Sequence, residues 1–316
     1  MASGKQPTYL FFGEIPKGHV CKIIVELLKV SIQTTEFTVT YAGLFHRGVD
    51  NPKLNRILID ASFPREKFKN FECTAEFSFS VNLKHLKTNV RNVKKKDVLT
   101  LYILVADPNK LHIHIKAAKS NKKKEEKLPT EVKKVAKKSK TTVIDHCDIT
   151  LKQTHELMPL PDFYIDDKGK SVNAYGYPKV IDSPDFQKIK KMTTTSKELD
   201  IEMVGHSYIK FYSTAGGLYG SQVTIGDDSS DDDDEAEDNP NKDKKYEASF
   251  HMSLIQPLMK LPTLSTHMQF YAPLVDGHPL KVKVDAGNIA TATVYLKDIK
   301  RIEYEEQMNE DQQRTN

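Results

Sequence analysis

Apolar residues recur along this chain in two rhythms. Over Gly18–Lys29 the spacing is helical: Val20, Ile23, Ile24, Leu27 and Leu28 fall at i, i+3, i+4, i+7 and i+8. That stripe packs on a sheet, and His19, Lys22, Glu26 and Lys29 form the outer face. After Asn82 the plan repeats, with Leu83, Leu86 and Val90 inward and Lys84, Lys87 and Arg91 outward. Over Asp185–Met192 the residues Phe186, Ile189 and Met192 point in, leaving Lys188, Lys190 and Lys191 outside. A fourth helix gives Ile255, Leu258 and Met259 to the core and Lys260 to the surface. Between these helices the pattern alternates with period two, as in FTVTY and KFYST. Strands at hairpin-like intervals, rather than one per helix, predict an α+β fold of mostly antiparallel sheets.

Two stretches repeat. VADPNKLHIHI aligns with LVDGHPLKVKV, matching Leu111, Ile113 and Ile115 to Leu280, Val282 and Val284. Upstream, FSFSVNLKHLK answers FHMSLIQPLMK, again at a spacing near 170 residues. Two matches in the same order predict a duplicated domain. The expected organisation is an N-terminal domain at 8–118, a basic insertion at 119–142 and an interdomain linker at 143–175. A second domain follows at 176–300, interrupted by an acidic loop at 227–245, and a polar tail at 301–316 is expected to fray.

Charge changes the picture. The formal net charge is +4, yet residues 227–238 hold nine acids and no base, so the remainder of the chain carries +13. Residues 119–140 hold ten lysines against three acids. All four expected helices therefore show basic outer faces while the acids are gathered elsewhere. Laid side by side, such helices offer phosphates a continuous surface that follows a backbone without reading bases. No run of 18 apolar residues is present, and the N-terminus MASGKQPTYLFF lacks the pattern of a secretion signal. Cys21, Cys73 and Cys147 are widely separated and odd in number, which argues against a disulfide framework or zinc ribbon.

Taken together, GHVCKIIVELLK, FSFSVNLKHLK, DPNKLHIHI, SPDFQKIKKM, TTSKELDIEM and FYSTAGGLYGSQVTIG followed by an acidic loop resemble the proliferating cell nuclear antigen family. The likeness runs from about Leu10 to Ile299. It implies the DNA clamp fold: two similar domains with two helices each, and three chains closing a ring that encircles duplex DNA. Carried over by position, the DNA-facing bases are Lys17, Lys22, Lys29, Lys84, Lys87, Arg91, Lys188, Lys190, Lys191 and Lys260. Partners with a short hydrophobic motif, a DNA polymerase among them, would dock beside the linker at Leu157, Met158, Pro159, Leu160 and Pro161, with Val49, Leu54 and Pro279. One departure is YLKDI, where Lys297 and Asp298 replace the family's small residue and proline. The resemblance places ring closure on two edge strands, represented by Leu111, Ile113 and Ile115 and by Tyr219, Val223 and Ile225. It also implies a clamp loader and a location in the nucleus, or at a cytoplasmic replication site for a viral chain.

Catalytic, metal and cofactor sites are not expected. His112 and His114 share a strand face but lack a third ligand at suitable spacing. The glycines Gly216, Gly217 and Gly220 lack the strand-to-helix context of a phosphate loop. The acidic run lacks the glycine and spacing of a calcium loop. KKVAKKSK is compatible with a nuclear localisation signal, an extra DNA contact or a solvated loop. Two alternatives to the ring are a non-encircling monomer or dimer that aids processivity or late transcription, and a nuclease using the acidic run.

Overall fold

The computed structural model describes residues 8–50, 53–117, 142–153, 157–205, 207–215, 219–226 and 244–315. The basic tract at 119–140, the acidic run at 227–238, and Gly216 and Gly217 lie outside the described residues.

The first domain comprises β1 (Tyr9–Ile15), α1 (Gly18–Ser31), β2 (Thr34–Thr40), β3 (Gly43–Val49), β4 (Ile57–Pro64), β5 (Asn70–Cys73) and β6 (Phe77–Asn82). It continues through α2 (Leu83–Val90), β7 (Val98–Leu104), β8 (Asp107–Lys116) and β9 (Thr142–Lys152). A hairpin of β10 (Phe163–Ile165) and β11 (Ser171–Asn173) leads into the second domain. That domain holds β12 (Lys179–Asp182), α3 (Ser183–Gln187), α4 (Met192–Thr195), β13 (Glu198–Val204), β14 (Tyr208–Ala215) and β15 (Tyr219–Gly226). It closes with β16 (Lys245–His251), α5 (Met252–Ile255), β17 (His267–Tyr271), β18 (Leu280–Ala286), β19 (Ala290–Leu296) and α6 (Ile299–Thr315). Every pairing between these strands is antiparallel.

The duplication is visible in the strand order. The run β4-β3-β2-β6 has its counterpart in β15-β14-β13-β16, and β9-β8-β7-β1 has its counterpart in β19-β18-β17-β12. Helices α2 and α5 begin directly after β6 and β16, so Leu83 corresponds to Met252. The offset is then 169 residues, the same as between Leu111 and Leu280, and the alignment of FSFSVNLKHLK with FHMSLIQPLMK shifts by four. The two domains join where β19 pairs with β4, from Thr291↔Ser62 to Leu296↔Ile57.

Helix α1 seats its apolar stripe on the sheet: Val20, Ile24, Leu27 and Leu28 are fully buried. Each contributes about 1.5–3 kcal/mol from burial. Its start lies tightly against β7, for a Cβ at Gly18 would fall 2.6 Å from Leu99 Cβ. Asn82 caps α2, its side-chain oxygen accepting from the N–H groups of Lys84 and His85.

Four expectations are corrected. The helix at Asp185–Met192 is broken, with α3 and α4 flanking a 3₁₀ turn over Lys188–Lys191. The helix carrying Leu258 and Lys260 is, after α5, a 3₁₀ segment over Gln256–Thr263; Pro257 and Pro262 deny it the N–H groups an α-helix needs. The linker does not start at 143, because β9 runs to Lys152 and pairs with β8 and β6, burying Cys147 and Ile149. The tail is helical: Asp298 Oδ1 accepts from Arg301 N–H at 2.8 Å, and Ile302 is buried. Glu305 fixes this helix, with Lys297 at 2.6 Å and Arg301 at 2.7 Å.

His46 lies buried on β3, its Nδ1 3.0 Å from the Glu36 carbonyl and its buried Nε2 without a partner. Burial pushes its pKa down to about 4 against a reference of 6.5. The unfolded chain therefore binds the extra proton first as pH falls. Stability should be constant above about pH 6.5 and decline by on the order of 3 kcal/mol down to about pH 4. Urea titrations at pH 7 and pH 5 test this, and His46→Gln should flatten the difference.

Candidate functional site

The helices pack in a row. Helix α2 packs on α1, α1 on the Gln256–Thr263 segment, and that segment on α3. Within this row the basic residues divide into two groups. Some are tied internally: Lys17 Nζ donates to the Gly287 carbonyl at 3.0 Å and Lys22 Nζ to the Arg91 carbonyl at 2.7 Å. Lys188 pairs with Asp185 at 2.7 Å, and Lys260 meets Glu26 of α1 at 3.3 Å. Lys84, Lys87, Arg91, Lys190 and Lys191 are exposed, and their side chains meet no carboxylate among the described residues. Lys29 lies half-buried in the last turn of α1. The structure thus brings both domains' basic residues onto one layer of helices. Lys94, Lys95 and Lys96, which the sequence places as an extension of the basic end of α2, are all exposed beyond it.

Of the two strands expected at a chain edge, β15 is one: among the described strands it pairs only with β14. Tyr219, Val223 and Ile225 lie on it, and Val223 and Ile225 pack partly against the core. The other expectation is corrected. Strand β8 has β7 on one side and β9 on the other, and Leu111, Ile113 and Ile115 are core residues. The open edge belongs to β9, which over Thr142–Asp148 pairs with β8 and with no other described strand. Ile144 stands on that stretch 63% exposed. Alternation alone could not separate the two strands, because both alternate equally well.

The proposed pocket residues gather at the domain junction. Val49 and Leu160 pack on Leu58, Ala174, Tyr175 and Tyr295. Leu157 and Pro161 are half-buried beside exposed Met158 and Pro159. Arg47 donates to the Met158 carbonyl at 2.6 Å, Tyr175 to the Pro279 carbonyl at 2.8 Å and Lys297 to the Leu54 carbonyl at 2.9 Å. What sequence reasoning missed is the pin beneath them. Asp162 accepts from Lys281 at 2.7 Å and from the Tyr295 hydroxyl at 3.0 Å. The Lys281 ammonium lies 5.1, 5.1 and 5.7 Å from the ring centres of Tyr175, Tyr271 and Tyr295. Burial first, and the Asp162 carboxylate second, hold the Tyr175 and Tyr295 phenols protonated well above their usual range. The signal available in the sequence was three tyrosines and a lysine spread over 120 residues, which names no contact.

Among the described residues no set of three His, Cys, Asp or Glu side chains is placed to hold a metal. His112 stacks on Tyr102 at 4.8 Å. His114 lies one strand step away, and Gly220 lies within β15. Burial pushes the thiols of Cys21 and Cys147 up to about 12 and about 11, so neither is a ready nucleophile.

Replacing Asp162 with alanine should leave Lys281 partly buried without its carboxylate. Stability should fall by about 1–3 kcal/mol, and amide exchange over 157–175 should accelerate. Adding Lys281→Met should recover part of the loss. Urea titration and hydrogen-exchange mass spectrometry read both.

The proliferating cell nuclear antigen N-terminal domain model matches residues 10–139. A DNA polymerase sliding clamp of Cenarchaeum symbiosum is 27% identical over 82 residues, covering 26% of this chain and 32% of that protein. DNA polymerase sliding clamp 1 of Pyrobaculum aerophilum is 30% identical over 78 residues, covering 25% and 30%. The matches thus span about a third of the length of these curated relatives. The crystal structure of proliferating cellular nuclear antigen from Entamoeba histolytica superposes with a TM-score of 0.65 at 15% identity, covering 92% of this chain and 99% of that one. By sequence, residues 10–139 match the proliferating cell nuclear antigen N-terminal domain, and by fold nearly the whole chain resembles a proliferating cellular nuclear antigen.

Proposed function

We propose that the protein is a non-enzymatic DNA sliding clamp. It holds duplex DNA against its helix layer and recruits a polymerase and other proteins through the junction beside Leu160. The observation that carries this reading is the row of helices from both domains, with Lys84, Lys87, Arg91, Lys190 and Lys191 exposed and unpaired by carboxylates. Such contacts bind phosphates without selecting bases, which a sliding tether needs.

The duplication supports ring closure. Within one chain, β19 of the second domain pairs with β4 of the first. Their counterparts are β9, whose Thr142–Asp148 stretch pairs with β8 and no other described strand, and β15, an end strand of its sheet. The register can be carried over. Phe37, His46 and Ala61 lie across β2, β3 and β4 as Ile201, Phe211 and Val223 lie across β13, β14 and β15. Likewise Val284 faces Ala292 as Ile115 faces Val143. Since Ala292 pairs with Ala61, Val143 of one subunit would face Val223 of the next. This contact is head-to-tail and closes only as a ring, for which the family likeness implies three subunits. The competing open monomer or dimer is favoured by one fact: the basic tract at 119–140 lies in sequence between β8 and the open stretch of β9.

Light scattering at low and moderate salt should give a mass near three chains. Ile144→Asp, which sets a charge on the open edge, should reduce it to one. A wild-type monomer would overturn ring closure. Separately, replacing Lys84, Lys87, Lys190 and Lys191 with glutamate should abolish stimulation of a polymerase and flatten the salt dependence of DNA binding by about four units. Full stimulation by that variant would overturn the assignment of the helix faces.

A further inference from the structure

A cavity of about 570 Å³ opens at one end of the helix layer, on the junction of the two domains. One wall is the start of α1, with Lys17 and His19, together with Lys95 and Lys96 from the turn after α2. The facing wall is Pro262–Thr266, where the 3₁₀ segment ends, and the floor is the β18–β19 turn with Asp285 and Asn288. This volume falls within the range of small-ligand sites.

Its electrostatics are one-sided. Lys95 and Lys96 are exposed, and neither meets a carboxylate among the described residues. Asp285 is the single acid on the lining. Lys17 is held in place across the domain junction by the Gly287 carbonyl, 3.0 Å away. His19 reports the convergence of charge: after burial, the fields of Lys95, Lys17 and Lys22 hold its imidazole below the ordinary histidine range. One ring nitrogen bonds the Lys95 backbone carbonyl, and Nδ1 is buried without a partner. The neutral donors of the opposite wall are Thr263, Ser265, Thr266 and Asn288. A lysine-rich concave wall facing hydroxyls and an amide suits a tetrahedral anion with several acceptor oxygens.

We propose that this cleft is a phosphate-binding site, and that its ligand is a phosphate of a nucleic-acid strand leaving the helix layer at the domain junction. Only the source of the phosphate rests on the clamp reading; the cleft itself does not. Lys95 and Lys96 grip the anion, and Lys17 anchors the wall.

The test uses the full chain and two probes. Inorganic pyrophosphate, titrated by calorimetry, should bind the wild type saturably, and Lys95→Gln/Lys96→Gln should weaken it by about tenfold or more. A control with the same charge change, Lys168→Gln/Lys170→Gln on the β10–β11 turn, should bind as the wild type does. Absence of wild-type binding, or equal losses in both variants, would overturn the site while leaving the clamp reading standing. A labelled primer–template DNA followed by anisotropy separates the sources. Loss of about two units of salt slope in Lys95→Gln/Lys96→Gln supports the strand. An unchanged slope with pyrophosphate binding lost overturns the strand assignment and gives the cleft to a free phosphate compound. Thermal melting of each variant checks that these surface changes leave the fold intact.

Discussion

The antiparallel pairing of β19 with β4 is the contact on which the rest of the molecule depends. It joins two copies of one domain edge to edge, so the helices of both copies come to the same side. With α1 packed on α2 in one direction and on the 3₁₀ segment of the second domain in the other, that side becomes a single layer. The same pairing also determines what is left over. A duplicated domain that uses its last strand and its fourth strand for one junction leaves the equivalent edges, the Thr142–Asp148 stretch of β9 and the outer side of β15, without a partner among the described strands. An open strand edge bearing an exposed isoleucine is an aggregation hazard unless a specific partner covers it.

The basic layer is selective in how it uses charge. Lys17, Lys22 and Lys260 make contacts that hold helices and domains together, to a carbonyl on β18–β19, to the end of α2 and to Glu26. These bonds are exposed or half-exposed and individually weak, yet each bridges elements far apart in sequence. The lysines free of carboxylates lie at the flanks, on α2 and on the Lys188–Lys191 turn.

Much of this was legible in the sequence, and the exceptions share a cause. Periodicity located α1 and α2 because each has an uninterrupted apolar stripe, and it placed the lysines on the outer face for the same reason. It failed at Gln256–Thr263, where Pro257 and Pro262 preserve the apolar spacing but remove the N–H groups on which an α-helix rests. It failed at α6, where the apolar contact is limited to Ile299 and Ile302 near its start and an Asp298 cap and the Lys297–Glu305–Arg301 cluster supplement it. The resemblance put the edge on β8, and alternation could not correct it, because alternation reports burial whereas being an edge depends on neighbours distant in sequence. The Asp162–Lys281 pin was invisible for that reason too: its two members are brought together only by the fold.

The departure at Lys297 and Asp298 now has a physical meaning. Asp298 starts a helix, and a chain that turns helical at this point cannot continue as an extended strand beside the junction. Lys297 meanwhile is shared between the Leu54 carbonyl and Glu305, so it ties the helix to the loop that borders the proposed pocket residues. One side of the junction is thereby braced by α6 and the other by the Asp162–Lys281 pin. A docking peptide would meet a rim whose position is set from both sides, with exposed Met158 and Pro159 as its adjustable part. Divergence in this chain therefore falls on the framing of the junction, while Val49 and Leu160 remain packed on its tyrosine floor.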